Sequence, residues 1–169
     1  MRKVFYSFYY KEDAQRASLV RNMGVVEGNK LLDDNEWEEV TRGGDDAIRS
    51  WIDGQLAKCD CLVVLIGANT YSRRWVRYEI EKAWSMGLGV VGVYVNRLKG
   101  FDQQQSTRGV NPLRFAKTSD GDSIAHYAET HEPTGYCSKE VYAEIRNSIE
   151  QWVDKAIQDR NFLKGFTGH

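Results

Sequence analysis

Cysteine is scarce in this chain: Cys59, Cys61 and Cys137 form no framework spacing. An odd count without such spacing excludes a disulfide scaffold and points to reduced thiols in the cytoplasm. Cys59 and Cys61 flank one residue on an expected strand, which suits buried apolar packing better than a redox pair. Histidine is equally scarce. His126, His131 and His169 show no ligand spacing with cysteines or carboxylates, so no metal site is expected. Neither sign of charge dominates: 23 basic and 24 acidic residues leave a net charge of −1. That balance provides no field to draw in nucleic acid or an anionic membrane. No apolar run reaches the length of a membrane span, and Val4–Phe8 is too short and too polar for a signal peptide. The chain also lacks Gly-x-Gly-x-x-Gly, a Walker loop and a Gly-x-Ser-x-Gly elbow. Rossmann-type pyrophosphate binding, P-loop hydrolysis and serine-hydrolase chemistry are disfavoured accordingly. The first expected strand ends in Ser7-Phe8-Tyr9-Tyr10, without the acidic cluster a phospho-receiver needs.

What the chain does have is a rhythm of strands and helices. Lys3–Phe8 has strand composition. Lys11–Met23 carries an apolar stripe at helical spacing, and Asp45–Lys58 is an amphipathic helix through Ala47, Ile48, Trp51, Ile52 and Leu56. Cys61–Ile66 is a continuous apolar run, the mark of a strand buried on both faces. Arg73–Met86 reads as the next helix, capped by Ser72 and closed by Gly87, and Val90–Val95 as another buried strand. This order predicts an α/β fold, a mainly parallel sheet flanked by helices. A short strand is expected at Lys30-Leu31-Leu32, a loop at 33–43 and a strand at Ser123–Glu129. The whole chain, 1–169, reads as one domain with a loop-rich insertion at about 96–136 that holds both prolines. A C-terminal helix is expected over about 138–160, with Val141, Ile145, Ile149, Trp152 and Val153 on one face, followed by a frayed tail from Phe162.

Any site on such a sheet is built from the loops after the first and third strands, where open α/β sheets hold their ligands. Those loops carry Ser7, Phe8, Tyr9 and Tyr10, then Asn69, Thr70, Tyr71 and Ser72. Aromatic rings suit adenine or nicotinamide, hydroxyls reach ribose, and Arg73, Arg74 or Arg77 suit phosphate. Trp75 and Glu79 are four residues apart and share one helix face near the strand end. Glu79 is either a catalytic carboxylate or a surface residue paired with Lys82, three residues on. Trp37 is a large aromatic in a polar stretch, a residue that covers a ligand or a groove.

Several of these stretches are shared with a known family. Val4-Phe5-Tyr6-Ser7-Phe8 resembles the first strand of TIR domains. Asp46-Ala47-Ile48 through Ile66 resembles their following helix and strand, and Ser72-x-x-Trp75-x-x-x-Glu79 matches their Ser-x-x-Trp-x-x-x-Glu pattern. The match covers roughly the first 95 residues in order and spacing. Arg73–Ile80, Trp37-Glu38, Asn111-Pro112 and Ser119-Asp120-Gly121 resemble the TIR-like branch of the bacterial Thoeris anti-phage system. Val76 stands where TIR domains usually carry cysteine, and Phe8 where they carry tyrosine.

The resemblance implies a flavodoxin-like three-layer fold with a nucleotide cleft. It implies an NAD glycohydrolase or ADP-ribosyl cyclase with NAD as substrate and no permanently bound cofactor. Such an enzyme breaks the nicotinamide–ribose bond and makes an ADP-ribose-derived, cyclic or conjugated signal that activates a separate effector protein. Glu79 corresponds to the catalytic glutamate. Ser7, Phe8, Tyr9, Arg74 and Trp75 fall on the substrate pocket, and Asp46, Tyr71 and Asn111 extend that set. The insertion is then a candidate lid. The alternative is a non-enzymatic module that acts by self-association, since the same fold serves both roles.

Overall fold

The computed structural model describes residues 1–167, with side chains as far as 165. Five parallel strands form one sheet: β1 (Lys3–Ser7), β2 (Glu27–Gly28), β3 (Cys61–Ile66), β4 (Gly89–Tyr94) and β5 (Thr130–His131). Their spatial order is β2-β1-β3-β4-β5. Chain travel leaves β1 toward β2 and returns past it to β3. The β1/β3 boundary is therefore the point where the winding reverses and a crevice opens beyond the strand ends. Register aligns Ser7 with Val64 across that boundary.

Both faces of β3 are buried, as its unbroken apolar run requires. Alternate residues point to opposite sides. Val63 and Leu65 meet α1 (Tyr10–Arg21) and α5 (Ser138–Thr167) through Ala17, Val20, Val141, Ile145, Ile149 and Val153. Leu62, Val64 and Ile66 meet α3 (Gly44–Leu56) and α4 (Arg74–Ser85) through Ile48, Ile52, Leu56, Ile80 and Ala83. The result is the expected three-layer α/β arrangement.

Four local expectations are corrected. The short second strand falls at Glu27–Gly28, and Leu31 and Leu32 turn instead into an open cleft. Residues 33–43 are not a loop: they hold the helix α2 (Asp34–Arg42). Asp33 accepts from the Glu36 backbone N–H while the Glu36 carboxylate accepts from the Asp33 N–H, a reciprocal cap that starts a helix with no fully buried residue. The strand expected at Ser123–Glu129 is a 3-10 turn over Ile124–His126, because Ile124 is fully buried as a single plug. Strand pairing with β4 begins only at Thr130. Finally, α5 continues from Ser138 to Thr167, past the expected end near 160. Arg160 anchors it by donating from Nη2 to the Trp84 carbonyl at 2.8 Å. Of the tail expected to fray, Phe162–Thr167 is helical, and Gly168 and His169 lie outside the described residues.

The segment after β4 packs rather than floats. Leu113, Ala116 and Ile124 are completely buried in the α3/α4 core. A buried ion pair on α1 ties down its first part. Arg16 Nη1 reaches Asp13 Oδ1 at 2.8 Å, while Arg16 Nε and Nη2 donate to the carbonyls of Leu98 and Gln104.

Candidate functional site

Glu79 is the centre of the site. On α4 the inward positions are Val76, Glu79, Ile80 and Ala83, so a carboxylate interrupts an otherwise apolar face. It is only 9% exposed. Ser7, the last residue of β1, is 1% exposed and donates from Oγ to Glu79 Oε1 at 2.6 Å. Burial pushes the Glu79 carboxyl up to about 8, and the Ser7 hydrogen bond acts in the opposite direction. The Lys82 pairing open from sequence does not form: Lys82 Nζ lies 3.8 Å from Asp53 Oδ2. Among the described residues, no cation lies within ion-pair distance of Glu79. The neighbouring Glu81 is spent on the Lys117 backbone N–H, at 2.7 Å.

Above this pair opens a cleft of about 480 Å³. One wall is a chain of rings. Trp37 of α2 meets Trp51 of α3 edge-on at 6.2 Å, and Trp51 meets Phe5 of β1 at 6.1 Å. Facing it are Phe8, Tyr9 and Tyr10 from the β1–α1 junction, and Trp75 from α4. Lys11, Lys30, Arg73 and Arg74 also line it, while Glu79 is the single acidic member. An arrangement of flat rings, several cations and one secluded carboxylate suits a ligand with aromatic groups, a sugar and negative charge.

Phe8, Tyr9, Arg74, Trp75 and Glu79 are thus brought together around the cleft, with Ser7 beneath it bonded to Glu79. Asp46, Tyr71 and Asn111 are not. Asp46 sits two residues before the buried Ile48, roughly 200° around α3. It faces solvent and pairs with Arg49 at 3.2 Å. Tyr71 lies in the Thr70–Ser72 turn with its ring 6.3 Å from Phe115. Asn111 spans the far side of the sheet, donating to Thr130 Oγ1 at 2.8 Å and accepting from the Leu113 N–H at 3.0 Å. None of the residues lining this cleft comes from the 96–136 segment. Ser72 does not cap α4 either: its hydroxyl donates to the Asn69 carbonyl, and Arg73 takes the N-cap position.

Sequence reasoning singled out Trp37 but assigned Trp51 to the core, because Trp51 shares the stripe of Ile48 and Ile52. Phe5 hides in the same way within a strand. Asn29 gave no signal; its Oδ1 accepts from the Tyr6 N–H at 2.9 Å and shapes the cleft floor.

Residues 5–100 match the family model of the Thoeris protein ThsB, TIR-like domain. This chain belongs to the ThsB-type TIR-like family. A curated relative from Bacillus cereus (strain MSX-D12), named "Putative cyclic ADP-D-ribose synthase ThsB1", is 34% identical over 137 residues, covering 76% of this chain and 71% of the relative. Among solved structures, the TIR domains of the activated Roq1 resistosome recognising the effector XopQ align with 95% of this chain and 84% of theirs. That alignment has 18% identity and a TM-score of 0.42. Every residue that lines the cleft falls inside the ThsB-type match. Among the described residues, no helix of this ThsB-type chain is long and apolar enough to cross a membrane.

Proposed function

We propose that this chain is an NAD-cleaving TIR enzyme of Thoeris-type defence. In this reading it breaks the nicotinamide–ribose bond and forms a cyclic ADP-ribose-type signal for a separate effector. The observation that carries the reading is Glu79: a buried carboxylate with no cation paired to it among the described residues, held by Ser7, at the floor of an aromatic, cationic cleft. The relative's printed name, a cyclic ADP-D-ribose synthase, supports the same chemistry.

The proposed steps follow from charge. NAD presents a positively charged nicotinamide ring beside the ribose. A cation near Glu79 favours its ionised form, so substrate binding lowers the proton affinity of the carboxyl and drives its proton off. The glycosidic bond then breaks with both electrons leaving on nicotinamide, which departs neutral. Positive charge moves to the ribosyl carbon and ring oxygen, and the buried Glu79 carboxylate stabilises it. Ser7 fixes one carboxylate oxygen and leaves Oε2 for the ribose hydroxyls. Capture by an adenine nitrogen of the same molecule closes a ring, whereas capture by water yields linear ADP-ribose. The ring wall of Trp37 and Trp51 and the facing Trp75 give the adenine and nicotinamide surfaces on which to stack, which favours the folded substrate that ring closure needs.

The test is incubation with NAD, alone and with lysate from phage-infected cells, with nicotinamide and nucleotide products followed by chromatography and mass detection. Glu79→Gln is run beside the wild type. Loss of nicotinamide release by about a hundredfold or more in Glu79→Gln is expected. Retained release in a folded variant overturns the assignment.

A further inference from the structure

Four cations line the cleft, Lys11, Lys30, Arg73 and Arg74; among the described residues Lys11 and Arg73 have no ion pair, and of those two only Arg73 carries the planar fork that matches a diphosphate. Lys30 Nζ is engaged by Glu36 Oε1 at 2.6 Å. Arg74 Nη2 is engaged by Asp45 Oδ2 at 2.6 Å, and its guanidinium lies 4.5 Å from the centre of the Trp75 ring. Arg73 has no such partner. Its guanidinium carbon lies 4.2 Å from the centre of the Tyr9 ring, and among the described residues no carboxylate is within ion-pair distance of it. The Tyr9 face holds the guanidinium in the cleft without neutralising it, leaving the planar N–H edge available.

Its position on the chain is equally telling. Arg73 is the N-cap of α4, where a cation opposes the helix dipole and contributes nothing to capping. The Tyr9 ring offsets part of that local cost, and a bound anion offsets more. From Arg73 to Glu79 is six residues, a rise of roughly 9 Å along the helix axis. Both residues line the same cleft.

Resting on the NAD reading above, we infer that Arg73, and not Arg74, is the residue that binds the diphosphate of the dinucleotide. It is a binding and specificity residue. The cleft selects a diphosphate-bearing ligand over a nucleoside because Arg73 is the lining arginine whose charge is uncompensated. Arg74 keeps Trp75 in place through its stacked ring contact and its bond to Asp45.

The test separates binding from turnover. ADP-ribose and, in parallel, adenosine are titrated into the full chain while tryptophan fluorescence is read. Wild type, Arg73→Gln and Arg74→Gln are compared. Expected is a loss of ADP-ribose affinity of about tenfold or more in Arg73→Gln, as for a lost charge-assisted bond. Arg74→Gln changes it by no more than about threefold, the range of an exposed ion pair. Adenosine affinity is the same in wild type and Arg73→Gln, and Arg73→Gln melts no lower than wild type. Equal or greater loss in Arg74→Gln overturns the inference, as does unchanged binding in Arg73→Gln. A wild type that releases nicotinamide from NAD but does not bind ADP-ribose overturns it while leaving the enzyme reading intact. Arg73-dependent binding of ADP-ribose with no nicotinamide release does the reverse.

Discussion

Ser7 and Glu79 stand 72 residues apart in the chain, and a 2.6 Å hydrogen bond joins them across the boundary of β1 and α4. The bond holds down a carboxyl that burial alone would carry higher still. If the ionised carboxylate acts on NAD, kcat/KM for nicotinamide release rises with pH through about 8, because that ratio follows the free protein. Ser7→Ala removes a bond that favours the charged form, so its profile shifts to higher pH. A pH series on both proteins checks this, and coincident profiles would show that Ser7 does not tune Glu79.

The same carboxyl links stability to pH. Its value is about 8 in the folded chain against an ordinary 4.5, so the folded state holds the proton more tightly. The associated stability is complete below 4.5 and is lost as pH rises through 8, where a buried charge remains. Glutamine does not titrate. Glu79→Gln should therefore melt above the wild type at pH 9 by a few kcal/mol, roughly 5–10 °C for a chain of this size. At pH 5 the gap should close. Parallel melting curves at the two pH values would refute a raised carboxyl.

Trp37 is the principal hold that the cleft has on α2, a helix without a fully buried residue. Trp37→Ala removes a ring contact of about 0.5–1.5 kcal/mol. Amide exchange over Asp34–Arg42 should quicken about tenfold. The melting temperature should fall by only a few degrees. Hydrogen exchange by mass spectrometry reads both regions, and an even loss of protection across the sheet would show that α2 is part of the global core instead.

Asp13 and Arg16 are 1% and 4% exposed, so removing one partner strands the other's charge. Arg16→Met should cost about 3–5 kcal/mol by denaturant titration. It also releases the Leu98 and Gln104 carbonyls. Asp13→Asn keeps a hydrogen-bonding group opposite Arg16 and should cost less. A loss below about 1 kcal/mol in Arg16→Met would mean that the pair does not anchor the loop.

The core of the fold was legible because its signals are strong and local. Cys61–Ile66 has the length and unbroken apolar character of a doubly buried strand, whereas Trp75 and Glu79 were legible only as sharing one face of α4, with a surface pairing to Lys82 left open. What escaped has physical reasons. Helix α2 is polar almost throughout, and its start is written in Asp33 and Glu36 rather than in hydrophobic spacing. Strands of two residues, such as Thr130–His131, carry no periodicity to read. Tyr71 and Asn111 do lie at strand-end loops, but their side chains turn to Phe115 and Thr130, and nothing in a one-dimensional pattern gives that direction. Arg73 and Arg74 are adjacent and chemically identical in the sequence; only the position of Asp45 tells them apart.

The sheet ends on both sides in stubs. β2 offers two residues at one edge and β5 two at the other. An edge that short exposes too few backbone donors and acceptors to template a further strand. Copies of this chain are therefore poor at growing sideways through their sheets. Any ordered stacking between them has to be written in helix faces and loop side chains, where a single substitution can abolish it without touching the sheet.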